Sequence, residues 1–145
     1  MVTPDCKACL GTWPFADRFI TECGITHAYL HDDQFFPGWT VLVLQRHATE
    51  LFHLTSAERA RLIEDVSAMA GVLSDIFQAA KINYELLGNQ LPHIHWHLIP
   101  RLHRDPAPLE PVWRVAHAPL AMEPNAQAAL IERLRARWNA HHQRG

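Results

Sequence analysis

The sequence predicts an α+β domain with a mostly antiparallel sheet. Three observations carry this expectation. The runs "THAYLHD" (26–32), "WTVLVLQ" (39–45), "KINYELL" (81–87) and "HIHWHLI" (93–99) are short, apolar and partly β-branched, as strands are. Two longer stretches, opening at Thr55 and Pro124, carry apolar residues at helical spacing. Strands and helices do not alternate strictly, which argues against a parallel βαβ sheet. At 145 residues the chain has the length of one domain with one sizeable core.

The elements follow in order. Residues 1–19 read as irregular, broken by Pro4, Gly11 and Pro14. The strand at 26–32 is followed by a turn, "QFFPG" (34–38), and then by the strand at 39–45. Thr55 and Glu58 have capping-box spacing and start a helix. Leu62, Val66, Met69, Leu73, Ile76 and Ala80 recur at steps of three and four on its core face. Glu58, Arg61, Glu64, Asp65 and Asp75 are left for its wet faces. The strand at 81–87 is closed by Gly88-Asn89, and that at 93–99 by Pro100. The short connection between them predicts an antiparallel hairpin. Pro106, Pro108 and Pro111 mark a surface connection. The last helix covers 124–142, with Pro124 at its start, Leu130, Leu134 and Trp138 on one face, and His141-His142 at a frayed end.

Composition narrows the function. Hydrophobic residues make up 48% and charged residues 19%, which suits a folded globular chain. The net charge of −2 gives no general attraction to nucleic acid or an anionic membrane, and no basic stripe or aromatic RNA-binding motif is present. No apolar run approaches the roughly 18–20 residues that span a bilayer. The N-terminal "MVTPDCKACLGTWP" does not read as a secretory leader. Three cysteines, Cys6, Cys9 and Cys23, are an odd count that fits a reducing compartment, so the cytoplasm is the expected location.

The chemistry concentrates in "QLPHIHWHLIPR" (90–101). On a strand, alternate residues share a face, so His93, His95 and His97 point one way and Ile94, Trp96 and Leu98 the other. The outer two histidines then start roughly 13 Å apart, at about 3.3 Å per residue. One small ion cannot bind all three on a straight strand, so their tasks must divide. Imidazole is a common zinc ligand. It is also a nucleophile that can take up a phosphoryl or nucleotidyl group and release it to water. Separately, "CKAC" (6–9) has the spacing of half a structural zinc site, and a redox pair is its other reading. Arg101, at the strand end, is placed to contact phosphate. Phe35 and Phe36 read either as walls of a base pocket or as core.

The stretch "HIHWHLIPR" resembles the signature of the histidine-triad (HIT) family, His-x-His-x-His followed by two apolar residues. The upstream order, "GWTVLVLQRH", a long helix, then "LGNQLPHIHWHLIPR", resembles the family as well, over roughly residues 4–113. The resemblance implies a HIT-like fold with a five-stranded sheet, a HIT domain over 1–116 and a C-terminal helical extension over 117–145. It further implies a homodimer that binds a nucleotide as a small-molecule substrate. By position, His95 is the nucleophile that attacks the α-phosphorus, and His97 assists at the phosphate and leaving-group oxygen. Asn89 falls where many members carry Gln, and Gln90 where others carry Ser or Thr. Asn83 resembles an asparagine used near ribose or phosphate. Trp113 resembles a late tryptophan that lines the site or a dimer contact, with simple packing as its other reading.

In zinc-bearing members the ligands resemble Cys6, Cys9, His47 and His93, which implies structural zinc here, with His53 the competing histidine. Cys23 is expected to pack as a small apolar residue. The resulting expectation is a nucleotide hydrolase or nucleotidyl transferase, similar to bacterial diadenosine tetraphosphate hydrolase-like members. A metal-dependent hydrolase using the triad as ligands and a non-catalytic nucleotide-binding module are the alternatives.

Overall fold

A computed structural model describes residues 5–143. Its elements in chain order are β1 (Phe19–Glu22), β2 (Thr26–Leu30), β3 (Thr40–Leu44), α1 (Ser56–Phe77), β4 (Lys81–Glu85), β5 (His95–Arg101) and α2 (Pro124–His142), with three short 3-10 turns between them. The strands form one antiparallel sheet in the order β1-β2-β3-β5-β4. The long crossover from β3 to β4 is α1.

Both helices cover one face of the sheet. Ala28, Leu30, Leu42 and Leu98 point to it and meet Val66, Met69 and Leu73 of α1 and Leu130, Leu134 and Trp138 of α2. Burying each large side chain contributes about 1.5–3 kcal/mol. The capping box forms as expected: Thr55 accepts from the Glu58 amide, and Glu58 accepts from the Thr55 amide at 2.8 Å. At α2, Pro124 opens the helix and the Glu123 carboxylate accepts from the Asn125 and Ala126 amides. Cys23 lies in the core, and burial pushes its thiol up to about 12.

The structure differs from the sequence expectation in five places. β1 lies partly in the stretch read as irregular; at four residues it is too short to show a period. Ala80 is not on the core face of α1. The helix ends at Phe77, Gln78 takes the left-handed conformation, and the Ala80 amide donates to the Arg101 carbonyl on the way into β4.

Asp65 is not on a wet face but 6% exposed. Its carboxylate accepts from the Gly24 and Ile25 amides and the Thr26 hydroxyl, each at 2.9 Å, and so holds the β1–β2 turn against α1. Here a glycine is required by close approach, because a Cβ on Gly24 would come within 2.6 Å of Asp65 Oδ1.

β5 starts two residues later than the apolar run suggested, at His95. The His93 amide donates to the Leu91 carbonyl across a tight bend, so it is lost to any ladder. Pro100 does not close the strand but lies within it, opposite Ile82. The β3 ladder has already ended at Thr40–Leu98, so the missing donor of Pro100 faces no ladder partner.

Candidate active site

His95 and His97 lie on the sheet face opposite the helices. Their partners across the ladder are Val43 and Val41, which share that face. His93 precedes the strand and departs from the common face: its ring turns back along β3, where Nε2 donates to the Leu44 carbonyl at 2.7 Å. The three histidines therefore divide into one and two.

His93 belongs to a cluster with Cys6, Cys9 and His47, whose ligand atoms all lie within 4.8 Å of one another. His53 is not among them. The donor set can be tested against zinc. Tetrahedral ligation with Zn–S of about 2.3 Å and Zn–N of about 2.05 Å requires S···N edges of about 3.5 Å and an N···N edge of about 3.3 Å. The observed edges are 3.5 Å for Cys6–His93, 3.3 Å for Cys9–His47, 3.6 Å for Cys9–His93 and 3.3 Å between the two Nδ1 atoms. Because His93 donates through Nε2, its Nδ1 presents a lone pair, as a ligand must. The residues therefore fit a tetrahedral thiolate–imidazole metal site, and the carbonyl of Leu44 orients one ligand from behind.

His95 is set differently. Its Nδ1 lies 2.7 Å from the His93 carbonyl oxygen, to which it can only donate. The proton is thereby fixed on Nδ1, and Nε2 is left with a lone pair. Burial lowers the His95 pKa, against the opposing pull of the His93 carbonyl, so the ring is neutral at physiological pH. The Trp13 ring meets it edge-on at 5.0 Å.

His97 carries the opposite tautomer. The Trp39 indole Nε1–H donates to His97 Nδ1 at 3.0 Å. An indole nitrogen only donates, so Nδ1 accepts and the proton sits on Nε2. Burial pushes the His97 pKa down to about 3, with His95 and His31 as smaller causes in the same direction. Trp39 is itself fixed by His31, whose ring stacks on it at 4.0 Å and 7°. The His31 Nδ1 accepts from the Asp33 amide at 3.1 Å, and burial lowers its pKa too.

These groups open into a cleft of about 520 Å³. Asn89 and Gln90 line it, as does the loop from Leu87 to Pro92, where Gly88 has a φ of 74°. Trp113 lines it as well, half-exposed, with its ring edge-on to His97 at 5.2 Å and its indole N–H donating to Glu85. The segment that carries Trp113 is tied down further along, where the Asp33 carboxylate accepts from His117 at 2.7 Å and from the Leu120 amide at 3.0 Å.

Two expected contacts are placed elsewhere. Arg101 was expected at phosphate, and Asn83 near ribose or phosphate; neither lines this cleft. Arg101 lies four residues beyond His97 on β5, roughly 13 Å along the strand. All five of its donors are engaged, with Asp105 twice and with Asn83 Oδ1, the Glu110 carbonyl and the Ala107 carbonyl. Its side chain is 4% and that of Asp105 1% exposed. A saturated, buried guanidinium has nothing left for a phosphate, and it claims the Asn83 oxygen too. Phe36 packs in the core with Trp39 and Ile99, with Phe35 against that cluster.

Sequence reasoning missed Trp13, His31 and Trp39. His31 could have been found from the alternation of β2, where Ala28 and Leu30 face the core and the odd positions face away. Trp39 and Trp13 carried no such signal.

Comparison with known proteins bears on this arrangement. The family model described as "HIT domain" matches residues 16–104, more than half of the chain. A bis(5'-nucleosyl)-tetraphosphatase (asymmetrical) of Schizosaccharomyces pombe is 26% identical over 98 residues, 64% of this chain and 54% of that protein. The chain thus spans about half the length of this curated relative. A histidine triad protein of Bradyrhizobium japonicum has a solved structure that superposes with a TM-score of 0.75 at 31% identity, covering 82% of this chain and 88% of that one. A Zn-bound histidine triad family protein of Mycobacterium smegmatis shares the fold at 17% identity, with a TM-score of 0.69 over 97% of this chain and 98% of that one.

Proposed function

The chain belongs to the HIT domain family, and on that premise we propose that it hydrolyses or transfers at the α-phosphate of a nucleoside phosphate derivative, through a nucleotidyl intermediate on His95. The observation that carries this reading is the Nδ1–H bond from His95 to the His93 carbonyl, which leaves Nε2 as a neutral lone pair beside the cleft. In the first step Nε2 forms a bond to the α-phosphorus, and the bond to the leaving group breaks with its electron pair. The positive charge on the resulting imidazolium is met by the His93 carbonyl at Nδ1. Water then attacks phosphorus, its proton passes to solvent, and the N–P bond breaks to restore neutral His95. For a transferase, another nucleophile takes the place of water.

His97 supports the reading as a second group in the cleft. Its Nε2–H is placed to donate to a phosphate oxygen as charge builds there. Asn89 and Gln90 are proposed as further phosphate contacts from the loop above. The cluster of Cys6, Cys9, His47 and His93 is proposed to hold zinc, a reading supported by its ligand geometry and by the Zn-bound state of the Mycobacterium smegmatis protein of the same fold. Its role is structural, because all four positions are filled by protein. The metal-dependent alternative finds too few ligands in the cleft: the Trp39 N–H at His97 Nδ1 puts that ring's proton on Nε2, so of the two histidines only His95 presents a lone pair there. A nucleotide substrate and a homodimer complete the reading. The chain has no helix, among the described residues, long and apolar enough to cross a membrane.

The test is a panel of dinucleoside polyphosphates and nucleoside phosphoramidates with native protein and His95→Ala. Turnover and a trapped nucleotidyl-protein, seen by mass spectrometry, are expected only with the native chain. Full activity in His95→Ala would remove His95 from the reaction.

A further inference from the structure

His117 lies outside the cleft, on the segment between β5 and α2, and the reaction proposed for His95 makes no use of it. Its ring is held at both nitrogens. Nδ1 lies 2.7 Å from the Val115 carbonyl oxygen, and Nε2 lies 2.7 Å from the Asp33 carboxylate. That carboxylate also accepts from the Leu120 and Phe35 amides, each at 3.0 Å. Burial works against its charge, but the Leu120 amide, His117 and the Phe35 amide together hold the Asp33 pKa below its ordinary value. With Asp33 ionised, both ring nitrogens of His117 face oxygens that only accept. Both must therefore donate, and only the imidazolium has two N–H groups. The bond to Asp33 raises the His117 pKa, against the opposing pull of burial.

The surroundings leave this pair to itself. Phe35 stacks on the His117 ring at 4.2 Å and 18°, and Phe36 meets it edge-on at 5.7 Å. Among the described residues, Asp33 is the charged group in contact with the ring. The other charged groups on the elements packed around it have partners of their own. Asp32 lies 3.3 Å from His31, Arg114 lies 3.5 Å from Glu110, and Arg101, over the Phe36 ring, is saturated. The side chains of His117 and Asp33 are 12% and 14% exposed, so solvent reaches the ring enough to exchange its proton.

The pair fastens a strap across the site. On the near side, Arg101 holds the Ala107 and Glu110 carbonyls, each at 2.7 Å, and Val112 is buried beside Trp39. Next comes Trp113, which walls the cleft and lies edge-on to both His97 and Trp39 at 5.2 Å. On the far side of Trp113 the strap is tied down at His117 and Leu120, and both ties run to Asp33. Among the described residues, His117–Asp33 is the one ion pair between the strap and the rest of the domain. Asp33 also reaches the opposite wall of the cleft. Its amide and carbonyl lie 3.1 and 3.3 Å from His31 Nδ1, and His31 stacks on Trp39, whose indole sets the tautomer of His97.

We propose that His117 and Asp33 are positioning residues that form a proton-dependent clasp: with two protons on the His117 ring the strap is closed and Trp113 stands against His97, and loss of one proton loosens it. Neither residue touches the reacting atoms. When the ring gives one proton to solvent, a nitrogen lone pair is left 2.7 Å from an oxygen lone pair, and that contact must lengthen. Because the folded pKa is raised, the clasp is whole at low pH and is lost as pH rises through that value. The clasp stands on the geometry of the strap; its bearing on catalysis rests on His95 and His97 as the reacting pair.

Two measurements test this, and neither needs turnover, so they hold or fail whatever becomes of His95 as the nucleophile. The first is a pH titration of the native chain by nuclear magnetic resonance, with 15N in histidine and tryptophan, from about pH 5 to 9. His117 should carry protons on both ring nitrogens at the acid end. Its titration and the shift of the Trp113 indole N–H should share one midpoint above 6.5. Asp33→Asn should lower the His117 midpoint and abolish the Trp113 step at the native one. A His117 ring with one proton throughout, or a Trp113 signal that does not follow it, overturns the proposal. The second measurement titrates AMP by calorimetry into native protein and His117→Arg, below and above that midpoint. Native affinity should fall about 10-fold above it, the factor of one lost charge-assisted contact. Arginine keeps a cation at every pH, so the fall should shrink to within about twofold in His117→Arg, while the ionisation of AMP is common to both proteins. An equal fall in both proteins, or none in the native chain, refutes the clasp.

Discussion

Replacing Trp39 by Phe isolates one hydrogen bond at the centre of the site. Phenylalanine keeps an aromatic ring to stack on His31 and removes the N–H that points at His97 Nδ1. Trp39 is 2% and His97 5% exposed, so water does not readily replace the lost donor. A buried acceptor left unpaired costs about 1–3 kcal/mol. The smaller ring also leaves a gap beside Ile99 and Val112, with which Trp39 packs. A stability loss of about 2–4 kcal/mol follows from the two together.

The functional effect is separable from it. Without the indole N–H, the proton of His97 can move to Nδ1, and Nε2 then presents a lone pair to the phosphate instead of a donor. Loss of one preorganised donor of this kind costs about 10²–10³-fold in kcat. Urea denaturation reads the first effect and single-turnover kinetics the second. The 15N shifts of the His97 ring report the tautomer directly. If Trp39→Phe leaves His97 protonated on Nε2 and kcat within twofold of native, the indole does not set the tautomer and the reasoning fails.

Three other outcomes are expected. Arg101→Gln should destabilise the chain by about 3–5 kcal/mol by breaking a buried pair. KM should stay close to native, and a raised KM without loss of stability would return Arg101 to the substrate. If zinc sits at a hundredfold excess over its Kd it stabilises by about 2.7 kcal/mol. Chelation should then lower Tm by roughly 5–11 °C in a domain of this size; an unchanged Tm after elemental analysis shows the metal gone would exclude a structural role. Acid should unfold the protein early. His97 is neutral when folded, with its pKa pushed from 6.5 down to about 3, so the unfolded chain binds the extra proton between those values. Its contribution is whole above pH 6.5 and is lost as pH falls toward 3. His97→Gln should flatten the pH dependence of stability in that window, and an undiminished slope would place its origin elsewhere.

What could be read from the sequence followed from periodicity. α1 begins where the Thr55–Glu58 spacing put it, and Leu62, Val66, Met69 and Leu73 face the core as their spacing required. The histidine run was legible as chemistry, but the strand period was carried one step too far. His93 lies in a bend, because its amide bonds to Leu91 and its ring is drawn toward Cys6 and Cys9. Asp65 and Arg101 are charged, and charge alone suggests solvent. Their burial depends on partners from distant segments, Gly24–Thr26 and Asp105–Glu110, that only the fold brings together. The same holds for Trp39, which lies 58 positions from the histidine it fixes.

The contact between Gly24 and Asp65 has a consequence for how this chain can change. The carboxylate of Asp65 fills the space that any side chain at position 24 would need, and it is held there by the backbone of that same turn. A mutation at position 24 alone collides with Asp65, and a mutation of Asp65 alone strands two amides and a hydroxyl. Neither position can drift by single steps without loss, so lineages of this protein should keep the two together or exchange both at once.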